Sequence, residues 1–155
     1  MSRKDLNRES FLRGAAIAGV ALLLGASTPE QDRWRKILTP AQYHILRESG
    51  TEPPNSSPLI GEHRAGTYYC AGCQLALFSS KTKYDSGDGW PSFYAPLPHA
   101  IATRADYDII EPRTEAHCSR CAGHLGHIFD DGPKPTGLRY CIDGLALHFV
   151  PGSAT

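Results

Sequence analysis

The chain has 155 residues, with sixteen basic and sixteen acidic side chains and a sequence pI near 7.0. That length suits one domain with a sizeable core rather than two, and the balanced charge lacks the basic footprint that nucleic-acid binding requires. A hydrophobic content of 41% with fifteen Gly and twelve Pro fits a compact, turn-rich domain, neither disordered nor long-helical.

Residues 1–13 carry Arg3, Lys4, Arg8 and Arg13 against Asp5 and Glu9, a net basic head. Residues 14–24 (GAAIAGVALLL) bear no charge, and the small Gly25, Ala26 and Ser27 follow. These are the parts of an export signal; the competing reading, a buried helix, lacks a polar face there. The apolar stretch is short for a bilayer span, and no cysteine follows it to take a lipid anchor. It resembles a twin-arginine signal, although neither 2–6 nor 7–13 holds two adjacent arginines. The expected organisation is an export signal over 1–26, a linker over 27–33, a folded domain over 34–151 and a tail over 152–155. The expected location is outside the cytoplasm, in a bacterium the periplasm, with a membrane tether if the signal stays uncleaved.

Thr39-Pro40-Ala41-Gln42 is a helix start: a capping hydroxyl, a proline at the first helical position and a capping-box glutamine. Tyr43, Ile45 and Leu46 give this helix an apolar face, Gly50 stops it, and Trp34, Ile37 and Leu38 pack just upstream. Residues 52–66 are loop. Short β segments are expected at 66–69, 75–78, 107–111, 138–142 and 145–150, the last with Leu145, Leu147 and Phe149 on one face. Short strands between Gly, Pro and Asp turns predict an antiparallel, mostly β (α+β) domain with a helix near its N-terminus.

The five cysteines divide unevenly. Cys70-x-x-Cys73 and Cys118-x-x-Cys121 have the spacing by which two thiolates grip one metal from a tight turn. Disulfides and redox dithiols compete with this reading, and export to an oxidising compartment would favour disulfides. Each pair lies in a Gly-bearing turn, and a small domain gains from a metal staple, so structural zinc is the expectation. A four-sulfur shell has no open position for catalysis. Cys141 is left over, a lone thiol fourteen residues after His124-Leu125-Gly126-His127, and a Cys–His pair supplies a nucleophile and a proton relay. Trp90, held by Pro91 after Gly87-Asp88-Gly89, is either a core plug or a rigid wall for a small apolar or sulfur-bearing ligand.

Gly89-Trp90-Pro91-Ser92-Phe93, the run from His124 to Pro133, Pro135-Thr136-Gly137, Arg139-Tyr140-Cys141-Ile142 and both C-x-x-C pairs resemble the methionine-R-sulfoxide reductase B family. The likeness runs from about Trp34 to Pro151. It implies two antiparallel β-sheets leaning together like a tent, with a zinc site remote from the active site. It also implies reduction of the R epimer of methionine sulfoxide, mainly in proteins and peptides. By position, Cys141 becomes the nucleophile, His127 the acid near the sulfoxide oxygen and His124 its neighbour. Trp90 holds the substrate methyl group, with Phe93 and Arg139 beside the substrate. The zinc ligands are Cys70, Cys73, Cys118 and Cys121.

Two positions depart from the family pattern. Many relatives carry a recycling cysteine where Asp88 stands, so here an external thiol, from a thioredoxin-like protein or a small molecule, must restore Cys141. Asp143-Gly144 replaces the usual Asn-Ser, and an ionised Asp143 about 6 Å from the sulfur would disfavour the thiolate by roughly 3 kcal/mol at an effective dielectric near 20. Pairing of Asp143 with Arg139 or His127 would offset that cost and bring Asp143 into the catalytic set. The alternative is a zinc-stapled protein of the same fold that recognises oxidised methionine without efficient turnover. The expected oligomeric state is monomeric.

Overall fold

The computed structural model describes residues 27–107 and 112–153. The expected export signal at 1–26 therefore lies outside the described residues, as does nearly all of the expected strand at 107–111.

Two short helices open the domain. Helix α1 (Pro29–Ile37) begins at Thr28 and helix α2 (Pro40–Glu48) at Thr39, each with a complete capping box and a proline in its first turn. Such caps contribute about 1 kcal/mol each, enough to fix where a nine-residue helix begins. Helix α1 occupies most of the segment expected as a linker, because Thr28-Pro29-Glu30-Gln31 repeats the start signal of Thr39-Pro40-Ala41-Gln42. Trp34 is buried with the Arg47 guanidinium 3.8 Å from its ring centroid, whereas Ile37 is 55% exposed rather than packed. Helix α2 ends at Glu48, two residues before Gly50: Ser49 takes the left-handed conformation, and the Gly50 N–H reaches back to the His44 carbonyl.

Among the described residues nine strands follow: β1 (Gly66–Cys70), β2 (Ala76–Ser79), β3 (Lys83–Tyr84), β4 (Ser92–Phe93), β5 (Ile101–Asp106), β6 (Arg113–Cys118), β7 (His124–Phe129), β8 (Arg139–Ile142) and β9 (Leu147–Pro151). They form two antiparallel sheets, one ordered β2-β1-β9 and the other β3-β4-β8-β7-β6-β5. This is the mostly β, two-sheet architecture expected from the sequence. Strands β5 to β7 were not expected: Arg113-Thr114-Glu115-Ala116-His117-Cys118 and the His-rich β7 lack the apolar alternation that marks a half-buried strand.

Aromatic rings join the sheets. Phe78 of β2 stacks on Phe93 of β4 with centroids 4.3 Å apart, Tyr68 of β1 meets Phe93 edge-on at 5.0 Å, and Phe78 meets Tyr140 of β8 at 5.9 Å. Tyr68, Phe78 and Phe93 are fully buried, and burial of each such ring contributes about 1.5–3 kcal/mol. Leu145 does not join this core. A 3-10 turn over Gly144–Ala146 shifts the phase so that the strand begins at Leu147, which leaves Leu145 37% exposed.

Candidate active site

The two C-x-x-C turns meet. Cys70 Sγ lies 3.7 Å from Cys121 Sγ, Cys73 Sγ lies 3.5 Å from Cys118 Sγ, and all four sulfurs fall within 4.8 Å of one another. A disulfide would bring two sulfurs to about 2.05 Å, and none of the five cysteines is in one. A tetrahedral metal bound at about 2.3 Å separates its sulfurs by about 3.8 Å, which fits the observed spacings. Each turn closes alike, with Gln74 N–H on the Cys70 carbonyl and Ala122 N–H on that of Cys118, both residues left-handed. The cage is a site for a thiophilic cation.

Cys141 sits on β8 between β4 and β7. Directly opposite it stand Ser92 on one side and His127 on the other. Opposed residues of an antiparallel pair share a sheet face, so thiol and imidazole lie side by side. Gly126 allows this close pairing: at φ 147 its missing Cβ would come 2.0 Å from the Cys141 carbonyl oxygen.

Both histidines are held by carboxylates from the β5–β6 hairpin. His127 Nε2 is 2.7 Å from Asp106 Oδ2, and Arg113 donates to the same oxygen at 2.8 Å. Buried His124 has Nδ1 2.6 Å from Glu115 Oε1, and Arg104 also bonds Glu115. The imidazole centroids are 5.3 Å apart. Burial pushes His127 below the usual histidine value, opposed by its bond to Asp106. The Asp106 carboxylate accepts from the ring's Nε2–H and so orients the imidazole.

Trp90 is half-buried. Its Nε1 donates to the Glu52 carbonyl at 3.1 Å, its backbone N–H to Asp88 Oδ1 at 3.2 Å, and Pro91 accepts the Ile142 N–H. The indole is thereby pinned beside β8. Arg139 is held from two sides, by a bidentate pair with Asp131 at 2.8 Å and by Asp88, and its guanidinium lies over Phe129.

Two expected site residues stand elsewhere. Phe93 is fully buried between Phe78 and Tyr68, in the core rather than against a substrate, because its place on two-residue β4 turns it to the face opposite Ser92. Asp143 pairs with neither Arg139 nor His127. It is buried, accepts the Glu52 N–H at 2.8 Å, and comes within 4.0 Å of His124 Nε2. The carboxylate at the thiol is Asp88, whose Oδ2 accepts from Cys141 Sγ at 3.4 Å. Burial first, then Asp88, pushes the Cys141 thiol up to about 12; Asp143 is the least of the contributors.

Cavities open at the groups around the thiol, though Cys141 itself lines neither of the next two. One of about 310 Å³ is lined by Thr51, Asp106, Tyr107, Arg113, His124 and His127, and another of about 470 Å³ by Tyr84, Ser86, Asp88, Asp131 and Arg139. A third, about 710 Å³, lies among α2, residues 51–59 and β9, and none of Cys141, His124 or His127 lines it. Asp106, Glu115 and Glu52 were given no role from the sequence, and Asp88 was noted only as standing where many relatives carry a recycling cysteine. The opposite-charge pairs Asp106–Arg113 and Arg104–Glu115, set in register across β5 and β6, are a signal that could have revealed two of them.

A half-buried thiol beside a carboxylate-held imidazole, on a domain that carries a four-sulfur cage, defines a thiol-based oxidoreductase. The SelR domain model matches residues 38–151. The peptide methionine sulfoxide reductase MsrB of Leptospira interrogans is 53% identical over 117 residues, 75% of this chain and 89% of that protein. Those of Agrobacterium fabrum (52%; 76% and 88% covered) and Thiobacillus denitrificans (51%; 83% and 98% covered) are similar to it in the same way. The chain belongs to the SelR family, the methionine-R-sulfoxide reductases of type B.

Proposed function

We propose that the protein reduces methionine-R-sulfoxide in peptides and proteins, with Cys141 as the attacking sulfur. The observation that carries this reading is the register of β7 and β8, which sets Cys141 opposite His127 in a chain of this family. A sulfoxide sulfur is reduced once its oxygen is protonated and taken up by a nucleophile. Cys141 Sγ takes the oxygen, becoming a sulfenic acid, and methionine leaves. His127, in its imidazolium form, supplies the proton to that oxygen, while Asp106 orients the ring and stabilises its charge. His124 packs against His127, Trp90 walls the substrate methyl group, and Arg139 flanks Cys141 with its charge neutralised by Asp88 and Asp131.

The four other thiols are gathered in one cage, so an external thiol, protein or small molecule, restores Cys141. Zinc is the cation the cage suits: four thiolates at tetrahedral spacing form a closed, structural site. Cys70, Cys73, Cys118 and Cys121 hold it, and it takes no part in the chemistry at Cys141. Residues 1–26 direct export, and the enzyme works outside the cytoplasm as a monomer; cell fractionation with N-terminal sequencing of the mature protein, and sedimentation of that protein, test these two points.

The decisive assay supplies dithiothreitol and a peptide bearing both sulfoxide epimers. Consumption should stop once the R epimer is gone, and Cys141→Ser should abolish it. An active Cys141→Ser protein would remove this sulfur from the mechanism.

A further inference from the structure

Among the described residues, Cys141 Sγ has Asp88 as its hydrogen-bond partner, at 3.4 Å. Asp88 is itself tightly placed. Its Oδ1 accepts from Ser86 Oγ at 2.6 Å and from the Trp90 N–H at 3.2 Å, which leaves Oδ2 to be shared by the thiol and Arg139. Arg139 cannot swing away easily, because Asp131 grips its other two nitrogens. One carboxylate oxygen is thus fixed and the other aimed at the sulfur.

We propose that Asp88 is a catalytic residue of this reduction: Oδ2 takes the Cys141 proton as Sγ attacks, and gives it up when the sulfenic oxygen departs. The proposal rests on the reductase reading above. The resting sulfur is a thiol at neutral pH, since burial and Asp88 hold its proton well above the ordinary range. A nearby acceptor must therefore take that proton during attack. The opposing imidazole is already engaged with Asp106 and is needed as the acid.

The proton and electron balance closes. In the first step the Sγ–H bond breaks towards Asp88, an Sγ–O bond forms and the substrate S–O bond breaks. The substrate sulfur gains two electrons, Sγ loses two, and His127 protonates the oxygen. In the second step the thiolate of a reducing thiol attacks Sγ. The Sγ–O bond breaks, the oxygen takes the proton held on Asp88 and leaves as water, and a mixed disulfide remains. The proton shed by the reducing thiol recharges His127. A further thiol of the reductant then releases Cys141 as a thiol against Asp88, and the reductant leaves as a disulfide.

Asp88→Asn separates this role from a purely structural one, because the amide keeps an oxygen for Ser86 and the Trp90 N–H but cannot accept the thiol proton. The groups facing position 88 are Tyr84, Asp85, Asp131, Arg139 and Cys141, with Asp143 beyond the sulfur. Two rates are read between pH 6 and 9 on full-length, pre-reduced protein: alkylation of Cys141 by iodoacetamide, and single-turnover reduction of one equivalent of methionine-R-sulfoxide peptide. Loss of the negative charge should raise alkylation at pH 7 by about tenfold, as the thiol titrates lower. Loss of the proton acceptor should slow sulfoxide reduction by about a hundredfold. Opposite movement of the two rates is the expected signature. An unchanged or faster sulfoxide step, or alkylation that does not rise, would overturn the proposal. Should Asp88→Asn not fold, Asp88→Glu keeps the carboxylate and should retain at least about a tenth of the wild-type rate; a hundredfold loss there would overturn it as well. Inactive wild-type protein would instead sink the reductase reading itself.

Discussion

Asp143 and Glu52 clasp each other across 91 residues of chain: the Asp143 carboxylate accepts the Glu52 N–H at 2.8 Å, while the Glu52 carboxylate accepts from Gly144 and Leu145 at 2.6 and 3.1 Å. This clasp binds the segment that carries the Trp90 acceptor to the end of the Cys141 strand. Burial pushes the Asp143 carboxyl up to about 7, against an ordinary 3.8. A folded-state value above the unfolded one means that Asp143 contributes stability fully below about pH 4 and loses it as pH rises through 7. Asp143→Asn keeps an acceptor for Glu52 and removes that titration. Urea denaturation should find the variant more stable than wild type by about 2 kcal/mol at pH 8.5, with the difference shrinking by pH 5. Parallel pH curves would show that this carboxyl does not titrate in the fold.

Asp106 holds His127 in two senses, by orientation and by stabilising its imidazolium form against burial and Arg113. Asp106→Asn should lower the His127 value further, so that less acid is present at pH 7. Turnover at pH 7 should fall about tenfold or more and recover partly towards pH 5.5. A uniform loss at every pH would mean that Asp106 serves orientation alone.

The cage predicts a metal-dependent fold. Chelation, or Cys118→Ser, should lower the melting temperature by about 10 °C or more, because cation binding is available to the folded cage and not to the dispersed chain. Thiol titration of the native protein should count one reactive sulfur, and of the chelated protein all five. Metal analysis of the native protein identifies the ion. A melting temperature indifferent to chelation would leave the four thiols as packing alone.

Phe93 tests the boundary between core and site. Phe93→Leu removes the stack on Phe78 and should cost about 1–2 kcal/mol of stability while KM for the sulfoxide peptide stays within twofold of wild type. A large rise in KM at unchanged stability would return Phe93 to the substrate.

The parts that the sequence displayed are those in which chemistry is local. Thr39-Pro40-Ala41-Gln42 announces a helix because the cap and its partner lie three residues apart; the same rule at Thr28 marks α1, which was expected as linker. Each C-x-x-C pair declares a ligand pair because a single turn brings both sulfurs together. The motifs around Trp90, His127 and Cys141 place the chain in its family without reference to any contact. Strands β5 to β7 were hidden for the opposite reason, since their polar side chains serve the site and erase the apolar alternation.

Composition and spacing alone therefore determined one turn-rich β domain, two thiol pairs apart from a fifth cysteine, and an aromatic and two imidazoles associated with it. Only the tertiary structure decided which charges act on them. His127 meets Asp106 at a separation of 21 residues, Cys141 meets Asp88 at 53 and Asp143 meets Glu52 at 91. An electrostatic partner is set by distance in space, and strand register, not proximity along the chain, fixes that distance. For that reason Asp143, two residues from the thiol, bears on it least, while Asp88 holds its proton.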